Sequence, residues 1–460
     1  MRYAHSVAQV KAAEQPLLAA GVPLMARAST RLAVEVARRL PFVYGARVAL
    51  MVGGGNNGAD ALWAGTFLAR RGAKVVAVLA GTPVQDALAA FLAAGGTTGT
   101  AEALTGAEVV LDGLVGLGGR GPLRPAAAEL ATAARGLVVA VDLPSGVDPD
   151  TGEVHPGAVR ADVTVTFGST KPGLLIARDH VGELVVVDLG LPLPDAPVEV
   201  LEARDVARLL PTAERASDKY SRGVLGVAAG SREYTGAAVL TVGAAVRAGA
   251  GMVRYAGKAA DQVRSRWPEA VVSQSLDDAG RVQAWVVGPG IGVGADDAVE
   301  WVLAQDVPVL VDADALTICA EHRDWLVRDA PTLLTPHDRE FARFGREVGP
   351  DRIGAARALA GELGVHVLLK GDATVVCGPE GPVRVNPTGS PVLATAGSGD
   401  VLSGAVGALL AQGLDVLDAA GAGAWLHGVA GALSADGAST SASLLLEAWP
   451  AAVREAHAGD

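Results

Sequence analysis

The chain of 460 residues is poor in cysteine and in aromatic side chains. Its two cysteines, Cys319 and Cys377, are isolated from each other, and no paired-cysteine or clustered-histidine motif is present. This excludes a disulfide framework and argues against a zinc site, so we expect both thiols to be buried apolar side chains. Aromatic residues make up only 4% of the chain. The core must therefore be built from Ala, Val and Leu, which suit helices packed on a parallel sheet.

Positive charge is also scarce, since 38 Lys and Arg residues face 50 Asp and Glu residues and the formal net charge is −12. This balance disfavours nucleic acid or an anionic membrane as the main partner. Residues 1–15 contain no apolar segment typical of a signal peptide. The longer apolar runs are interrupted by charged residues, such as Arg247, before they reach the ~18 residues that a membrane span needs. We therefore expect a cytoplasmic protein without a membrane partner.

The length indicates two sizeable domains, because one domain averages about 150 residues. In both halves, short Val-rich runs alternate with amphipathic stretches, the pattern of buried strands connected by helices in a doubly wound sheet. The predicted strands of the first half are residues 47–52, 74–79, 109–111, 137–141, 163–167 and 184–187. Those of the second half are residues 224–229, 284–287, 307–311, 365–369 and 374–377.

A Pro-rich segment, residues 190–197, separates the two series of strands. We place the domain boundary between Gly190 and Pro211 and assign residues 1–205 to the first domain and 206–460 to the second. The polar motifs of the two halves differ. The chain therefore reads as a fusion of two enzymes and not as a duplication.

The first half contains the loop Gly53-Gly-Gly-Asn-Asn-Gly58, which has the GxGxxG spacing of a dinucleotide-binding motif. That motif needs an acidic residue at the end of the second strand, but residues 79–83 contain none. Simple nicotinamide hydride transfer is therefore disfavoured. The loop instead carries Asn56, Asn57 and Asp60, whose oxygens suit a hard cation, beside backbone amides that suit a phosphate. The alternative is an Asn-rich turn that only caps a helix.

Two more polar loops follow strands of the same half. One strand ends in Asp112, before the glycine-rich residues 116–122, and another ends in Asp142, before Ser145 and Asp148. Carboxyl ends of parallel strands meet at one edge of a sheet, so these loops converge on one crevice. A single Asp at a strand end is often a helix cap, but three such polar loops predict a binding site.

Together with Lys171-Pro-Gly173, these motifs resemble the NAD(P)H-hydrate epimerase family over roughly residues 5–205. The resemblance implies a Rossmann-like three-layer α/β/α domain that interconverts hydrated nicotinamide nucleotides. It implies a potassium ion near Asn57, Asp112 and Ser145, and Asp142 is our hypothesis for the acid–base group. The substrate contacts that it implies are Asn56, Asn57, Gly58, Ala59, Asp60, Gly116, Leu117, Gly118, Gly119, Arg120, Gly121, Pro122 and Asp142.

The second half carries a different set of motifs. Lys370-Gly-Asp-Ala-Thr374 follows a strand, Thr335-Pro-His337 follows another, and Gly397-Ser-Gly-Asp400 opens an apolar helix. The P-loop motif is missing, but a glycine turn at a helix start still forms an anion site. Asp400 cannot itself bind phosphate and is better suited to accept a proton from an attacking hydroxyl. The alternatives are an N-cap role for Asp400, a satisfied polar His337 and a solvated Lys370.

These three motifs resemble the ribokinase-like fold, whose Gly-x-Gly-Asp aspartate is the base of phosphoryl transfer. With Tyr234-Thr-Gly-Ala-Ala238 and Gly288-Pro-Gly-Ile-Gly292, they resemble more narrowly the ADP-dependent NAD(P)H-hydrate dehydratases, over about residues 212–450. This implies a C-terminal ribokinase-like α/β domain with a Mg²⁺ ion bridging the nucleotide phosphates. The implied contacts of the hydrated nucleotide are Ala237, Gly290, His337 and Asp400. Those of ADP are Lys370, Gly371, Asp372, Ala373, Thr374 and Gly399.

The two resemblances imply one repair function. Epimerisation of R and S NADHX or NADPHX would feed an ADP-dependent dehydration of the S epimer to NAD(P)H, with release of AMP and phosphate. We also expect a homo-oligomer. Two alternatives are a ribokinase-like small-molecule kinase fused to a Rossmann-like binding domain, and a non-catalytic binding module. The Thr335-Pro-His337 motif argues against the first, and intact Asn57, Asp112 and Asp142 argue against the second.

Overall fold

The computed structural model describes residues 1–212, 215 and 217–459. The chain divides into two compact units: an N-terminal unit, Tyr3–Pro197, and a C-terminal unit, Met1–Arg2 with Val198–Asp460. The division at residue 197 lies inside the predicted Gly190–Pro211 interval and ahead of residue 205. Residues 198–205 go with the C-terminal unit because Val198–Val200 pairs in parallel with Val383–Asn386 in its sheet.

The N-terminal unit is built on a sheet whose neighbouring strands all pair in parallel. Every strand predicted for this half is present, with ends within two residues of the prediction. In spatial order the strands are Thr97–Thr98, Lys74–Leu79, Arg47–Val52, Val109–Gly113, Leu137–Val141, Val163–Phe167 and Glu183–Val187. The helices are Val7–Ala19, Leu24–Arg38, Asn56–Arg70, Gln85–Ala93, Glu102–Thr105, Pro125–Ala133, Pro172–Ile176 and Arg178–Val181.

Small side chains let the helix Asn56–Arg70 pack closely on this sheet. Ten of its residues, from Asn57 to Leu68, are buried. The strand Arg47–Val52 is likewise buried after its first residue, as expected for a central strand covered on both faces. Within the described residues no single helix is long and apolar enough to span a membrane. The helices Val7–Ala19 and Leu24–Arg38 together reach the length and apolar composition of a membrane span, but the chain bends by 115° between them.

The C-terminal unit has a larger sheet, with ten strands that lie wholly within the unit among the described residues. In spatial order they are Val198–Val200, Val383–Asn386, Thr374–Cys377, His366–Leu369, Thr332–Leu334, Val309–Val311, Ala284–Val287, Val224–Ala228, Met252–Ala256 and Val271–Ser273. Thr374–Cys377 pairs antiparallel with both of its neighbours. The four residues between His366–Leu369 and Thr374–Cys377 are too few for the crossover that a parallel pair requires.

Helices of the C-terminal unit cover this sheet with Ala- and Gly-rich faces. Ser398–Ala411 is buried from Val401 onward, and most of Val416–Ala435 is buried. Cys319 and Cys377 are both buried, as predicted. The α-helices are Ala203–Leu209, Thr235–Arg247, Ala260–Arg266, Asp296–Leu303, Asp314–Glu321, Asp338–Phe341, Arg352–Leu363, Ser398–Ala411, Val416–Ala435 and Ala442–Ala458. Short 3₁₀ helices are Arg323–Leu326, Ala342–Phe344 and Pro391–Leu393.

Candidate active sites

The strand order of the N-terminal sheet reverses between Arg47–Val52 and Val109–Gly113, and Leu137–Val141 lies next to the latter. Crevices at such a reversal are the usual ligand sites of open α/β sheets. A cavity of about 610 Å³ lies there. The predicted substrate residues that line it are Asn56, Asn57, Asp60, Gly116, Leu117, Gly118, Gly119 and Asp142.

Five predicted substrate residues do not line this cavity: Gly58, Ala59, Arg120, Gly121 and Pro122. Gly58 and Ala59 are buried in the helix, and a Cβ on Gly58 would lie 2.1 Å from the carbonyl oxygen of Gly53. The Arg120 guanidinium is exposed and pairs with Asp148 and Asp150. Gly58 therefore has a packing role, which the sequence pattern alone did not reveal.

Asp142 follows its strand with a backbone φ of 67°, a left-handed conformation rare for a non-glycine residue. Its Oδ1 atom accepts hydrogen bonds from Lys171 Nζ at 2.6 Å, from Thr166 Oγ1 at 2.9 Å and from the Phe167 amide at 3.1 Å. Lys171 is fully buried. The ammonium and the two neutral donors stabilise the charged carboxylate at the wall of the cavity.

The three residues predicted around a cation lie together behind the glycine loop. Ser145 Oγ donates to Asp112 Oδ1 at 2.7 Å and accepts from the Val115 amide at 2.9 Å. Asn57 Nδ2 reaches the Val115 carbonyl oxygen at 3.3 Å. A Cβ on Gly116 would lie 2.1 Å from Asn57 Oδ1, so only glycine allows this close approach.

Asp112 is fully buried, and no ion pair to it is found in the described part of the chain. Burial raises the pKa of Asp112 to about 6, although hydrogen bonds from Ser145 work against this rise. The site thus combines carboxylate, hydroxyl and carbonyl oxygens around a buried charge without a cationic side chain. Such a donor set suits a hard cation of low charge.

The first helix contributes two cavity residues that the sequence motifs did not indicate, Lys11 and Glu14. Burial, and next the charge of Asp142, raise the pKa of Glu14. Asp60 also lines the cavity and accepts a hydrogen bond from Ser29 Oγ at 3.0 Å. Burial raises the pKa of Asp60 to about 7. Three carboxyl groups with different surroundings therefore face one cavity.

In the C-terminal unit, the carboxyl ends of neighbouring strands bring the predicted residues together. His337 follows Thr332–Leu334, and Lys370 follows His366–Leu369. Gly290 follows another strand with a φ of 59°, and a Cβ there would lie 2.8 Å from Ala237 Cβ. Two predicted substrate contacts, Gly290 and Ala237, are thus adjacent.

Lys370 is the centre of an ion-pair cluster that the sequence motifs did not indicate. Its Nζ atom lies 2.7 Å from Asp312 Oδ1 and 3.5 Å from Glu340 Oε2. Asp312 also accepts a hydrogen bond from Ser403 Oγ at 2.7 Å. Burial acts to lower the pKa of Lys370, but the two carboxylates outweigh it and the pKa is raised. Lys370 is therefore not a solvated lysine. Its Nζ atom also lies close to the start of the next helix, because a Cβ built on Gly399 would be 3.6 Å from it.

Asp400 lies in the first turn of Ser398–Ala411, but the N-cap of that helix is Gly397, with a φ of 86°. The N-cap alternative for Asp400 is therefore wrong. Among the described residues no hydrogen bond or ion pair engages its carboxylate. Burial, and next the Asp312 carboxylate, raise the pKa of Asp400 to about 7. A carboxyl group of this kind changes its protonation near neutral pH.

His337 is itself a capping residue, for the short helix Asp338–Phe341. Its Nδ1 atom accepts from the Arg339 amide at 3.1 Å and the Glu340 amide at 3.2 Å. The acceptor role of Nδ1 assigns the proton to Nε2, which is then a donor. The side chain is 48% exposed. Glu340 connects His337 to the Lys370 cluster, because it also accepts from the His337 amide at 2.9 Å.

The remaining predicted nucleotide residues, Gly371, Asp372 and Ala373, form the turn between His366–Leu369 and Thr374–Cys377. Thr374 Oγ1 closes this turn by donating to the carbonyl oxygen of Gly371 at 3.2 Å. The turn therefore begins at Lys370, beside the start of the Asp400 helix, so two elements predicted to bind the adenine nucleotide are adjacent.

Comparisons with known proteins find matches for both halves of the chain. Residues 225–450 match a family model described as NAD(P)H-hydrate dehydratase, and residues 21–173 match one described as YjeF-related protein N-terminus. The bifunctional NAD(P)H-hydrate repair enzyme Nnr of Mycobacterium tuberculosis is 52% identical over 431 residues, which cover 90% of each chain. Its counterpart of that name in Corynebacterium glutamicum is 39% identical and covers 79% of this chain and 78% of its own.

Solved structures resemble the C-terminal unit. The ADP/ATP-dependent NAD(P)H-hydrate dehydratase of Bacillus subtilis, co-crystallised with ATP/Mg²⁺, superposes with a TM-score of 0.51 and 29% identity. It covers 55% of this chain and 97% of its own. A ribokinase-like protein of Enterococcus faecalis, with a TM-score of 0.52 and 22% identity over 57% of this chain and 98% of its own, supports the predicted fold alone. The family resemblance of each half is thereby confirmed: the chain belongs to the bifunctional NAD(P)H-hydrate repair enzymes.

Proposed function

We propose that this chain repairs hydrated NADH and NADPH with two separate sites. The N-terminal cavity interconverts the R and S epimers at C6, and the C-terminal site dehydrates the S epimer with ADP. The observation that carries the proposal is that an oxygen-lined cavity and a phosphoryl-transfer cluster occur in one chain. That chain is 52% identical, over 90% of its length, to a protein named bifunctional NAD(P)H-hydrate repair enzyme Nnr.

The dehydration starts from the C6 hydroxyl of the S epimer. Asp400 takes the hydroxyl proton while the oxygen attacks the terminal phosphorus of ADP, and the bond from that phosphorus to AMP breaks. The lone pair of the ring nitrogen then expels phosphate from C6, and a proton leaves C5 to form the C5–C6 double bond. The sum is hydrated NADH plus ADP giving NADH, AMP and phosphate. The carboxylate of Asp400 is suited to the first step because no described residue binds it.

The adenine nucleotide would be held by Lys370 to Thr374 and by the amide of Gly399 at the start of its helix. When bound, Mg²⁺ neutralises phosphate charge. The chain fits an ion that is carried largely by the nucleotide phosphates, because Asp312 and Glu340 already bind Lys370. Consistent with this, no group of three or more His, Cys, Asp or Glu side chains suited to a metal occurs among the described residues.

In the N-terminal unit, Asn57, Asp112 and Ser145 would hold the potassium ion. The supporting observation is the buried Asp112 carboxylate, whose neighbours are a hydroxyl and backbone groups. A bound cation would offset this charge and fix the Val115–Gly116 backbone at the cavity wall. The predicted loop and helix residues would contact the hydrated nucleotide, with Asp142 as an acid–base group.

We further propose a cytoplasmic homo-oligomer that acts on NADHX, NADPHX and ADP, with neither nucleic acid nor a membrane as partner. The net charge of −12 supports the last part, because an acidic surface is repelled by phosphate backbones and anionic lipids.

The purified chain incubated with mixed NADHX epimers tests the function. With ADP and Mg²⁺ we expect the absorbance of NADH to appear until both epimers are consumed, with AMP and phosphate in equal amounts. Without ADP the band should stay absent while a pure epimer still converts to the mixture. A stable phosphorylated product in place of NADH would instead support the small-molecule kinase.

A further inference from the structure

The cavity of the N-terminal unit is lined by three carboxyl groups, of which two have partners. Asp142 bonds to the buried Lys171, and Asp60 accepts from Ser29. Glu14, on the helix Val7–Ala19, is partly buried and lines the same cavity. No hydrogen bond or ion pair engages its carboxyl group in the part of the chain that the structure describes. An unpartnered, partly buried carboxyl group that faces a cavity is suited to a ligand.

The surroundings of Glu14 and Asp142 differ, because only Asp142 has a cationic partner within hydrogen-bond distance among the described residues. Asp142 lies 2.6 Å from the ammonium of Lys171, which stabilises its charge. Glu14 has no such contact. Burial, and next the repulsion of Asp142, raise its pKa, and the attraction of Lys171 and Lys11 offsets this only in part. Pairs of carboxyl groups with divergent surroundings are how enzymes obtain one acid and one base in a single site.

We propose that Glu14 is a second catalytic residue of the epimerisation site and acts on the C6 hydroxyl as the partner of Asp142. This inference rests on the proposed function. Glu14 lies ahead of residues 21–173, the range that matches the N-terminal family model. It is therefore assigned by the cavity geometry and not by a motif.

The reaction balances with these two groups alone. Protonated Glu14 gives its proton to the C6 hydroxyl, the C6–O bond breaks, and water leaves as the ring nitrogen lone pair forms an iminium ion. A water molecule then attacks C6 from the opposite face and gives a proton to Asp142. The product is the other epimer with one oxygen from solvent. The reverse reaction exchanges the two roles, and proton exchange with solvent restores the starting state.

Glu14→Gln in the full chain tests this assignment, with a purified R epimer and without ADP so that dehydration cannot proceed. We expect kcat for epimerisation to fall by about 10²–10⁴, the usual contribution of a positioned acid or base, with KM within about twofold. Glu14→Asp, which keeps a carboxyl group, should retain more activity than Glu14→Gln. Exposed Glu129→Gln is the matched control and should epimerise normally. ADP-dependent dehydration of the S epimer should be unchanged in every variant.

Oxygen-18 water supplies a second readout. Each inverted product formed by the wild-type chain should contain one heavy oxygen at C6. Inversion without incorporation would indicate ring opening and would overturn the proposal, as would a Glu14→Gln variant with wild-type kcat. In both cases the epimerase function itself would stand. A wild-type chain that fails to epimerise at all would overturn the proposed function and this inference with it.

Discussion

Each of the two units contains a lysine–aspartate ion pair, fully buried at Lys171 and partly buried at Lys370, but the pair is connected differently to the aspartate proposed for catalysis. In the N-terminal unit, Lys171 binds Asp142 itself, at 2.6 Å. In the C-terminal unit, Lys370 binds Asp312, at 2.7 Å, and leaves Asp400 without a partner among the described residues. The same pair of residue types thus binds the proposed catalytic aspartate in one unit and a neighbouring aspartate in the other.

The difference suits the two reactions. A base for phosphoryl transfer must release and take up a proton near working pH, and the pKa of Asp400, raised to about 7, allows this. Lys370, held by two carboxylates, is one of the residues that we propose to bind the adenine nucleotide. In the N-terminal unit no phosphoryl group is transferred, and the buried lysine instead donates a hydrogen bond to the Asp142 carboxylate at the wall of the cavity.

The largest effect is expected from Asp400→Asn, which tests whether the unpartnered aspartate is the base. The change keeps the shape of the side chain but removes the proton acceptor, so the dehydration rate should fall by about 10²–10⁴. Steady-state assays of NADH formation measure this. Epimerisation in the same sample should be unaffected. A variant with a near wild-type dehydration rate would contradict the catalytic role of Asp400.

Lys171→Met tests the contribution of the buried Lys171–Asp142 ion pair to the stability of the N-terminal unit. Removal of one partner of a buried ion pair leaves the second charge uncompensated, so the free energy of unfolding of the N-terminal unit should fall by about 3–5 kcal/mol. Denaturant titration measures this change. The double variant Lys171→Met/Asp142→Asn should recover part of the loss, because it removes the stranded charge. Equal destabilisation of the single and double variants would show that the ion pair is unimportant.

The pH dependence of dehydration is a further test of Asp400 as the base. Because the pKa of Asp400 is raised to about 7, its carboxyl group is protonated below that pH and cannot accept the hydroxyl proton. The dehydration rate should therefore rise about tenfold per pH unit up to about pH 7 and level off above it. Initial rates between pH 5 and 9, at saturating ADP, measure the profile. A flat profile across this range would contradict the assignment.

The smallest effect is expected from monovalent cations. If Asn57, Asp112 and Ser145 hold potassium, K⁺ at ten times its dissociation constant should stabilise the N-terminal unit by about 1.4 kcal/mol. Thermal unfolding in KCl and in the chloride of a bulky organic cation, at equal ionic strength, measures this. Asp112→Asn should abolish the difference. Crystals soaked in a rubidium salt should show anomalous signal between the three residues.

Much of the fold could be predicted from the sequence because the sheet strands are buried on both faces and therefore appear as Val-rich runs. Strands Arg47–Val52, Lys74–Leu79, Leu137–Val141 and Ala284–Val287 have the predicted bounds. The unpredicted strands, such as Val198–Val200 and Val271–Ser273, are short and lie at or near a sheet edge. A three-residue edge strand is defined by the partner that it pairs with, and that partner is distant in the sequence.

The site residues likewise differ in how far the sequence could predict them. Asp142 directly follows a strand and Asn57 lies in the first turn of the helix after another, so local motifs were enough to place them at one edge. Asp312 follows a buried strand, as Asp142 does, and the same signal could have indicated it. Glu14 could not be predicted in this way, because it lies on a helix that is distant from these loops in the sequence. Only the folded helix brings its carboxyl group to the cavity.

The left-handed backbone at Asp142 limits which residues that position can accommodate. At a φ of 67°, Gly, Asn and Asp are tolerated, whereas a β-branched side chain clashes with its own backbone. A saturation library at position 142, made in the Lys171→Met background so that no buried charge is left uncompensated and screened only for soluble protein, should therefore retain Asn and Gly and lose Val, Ile and Thr. The backbone conformation would then restrict position 142 to Gly, Asn and Asp, and the need for an acid–base group would select Asp among these three.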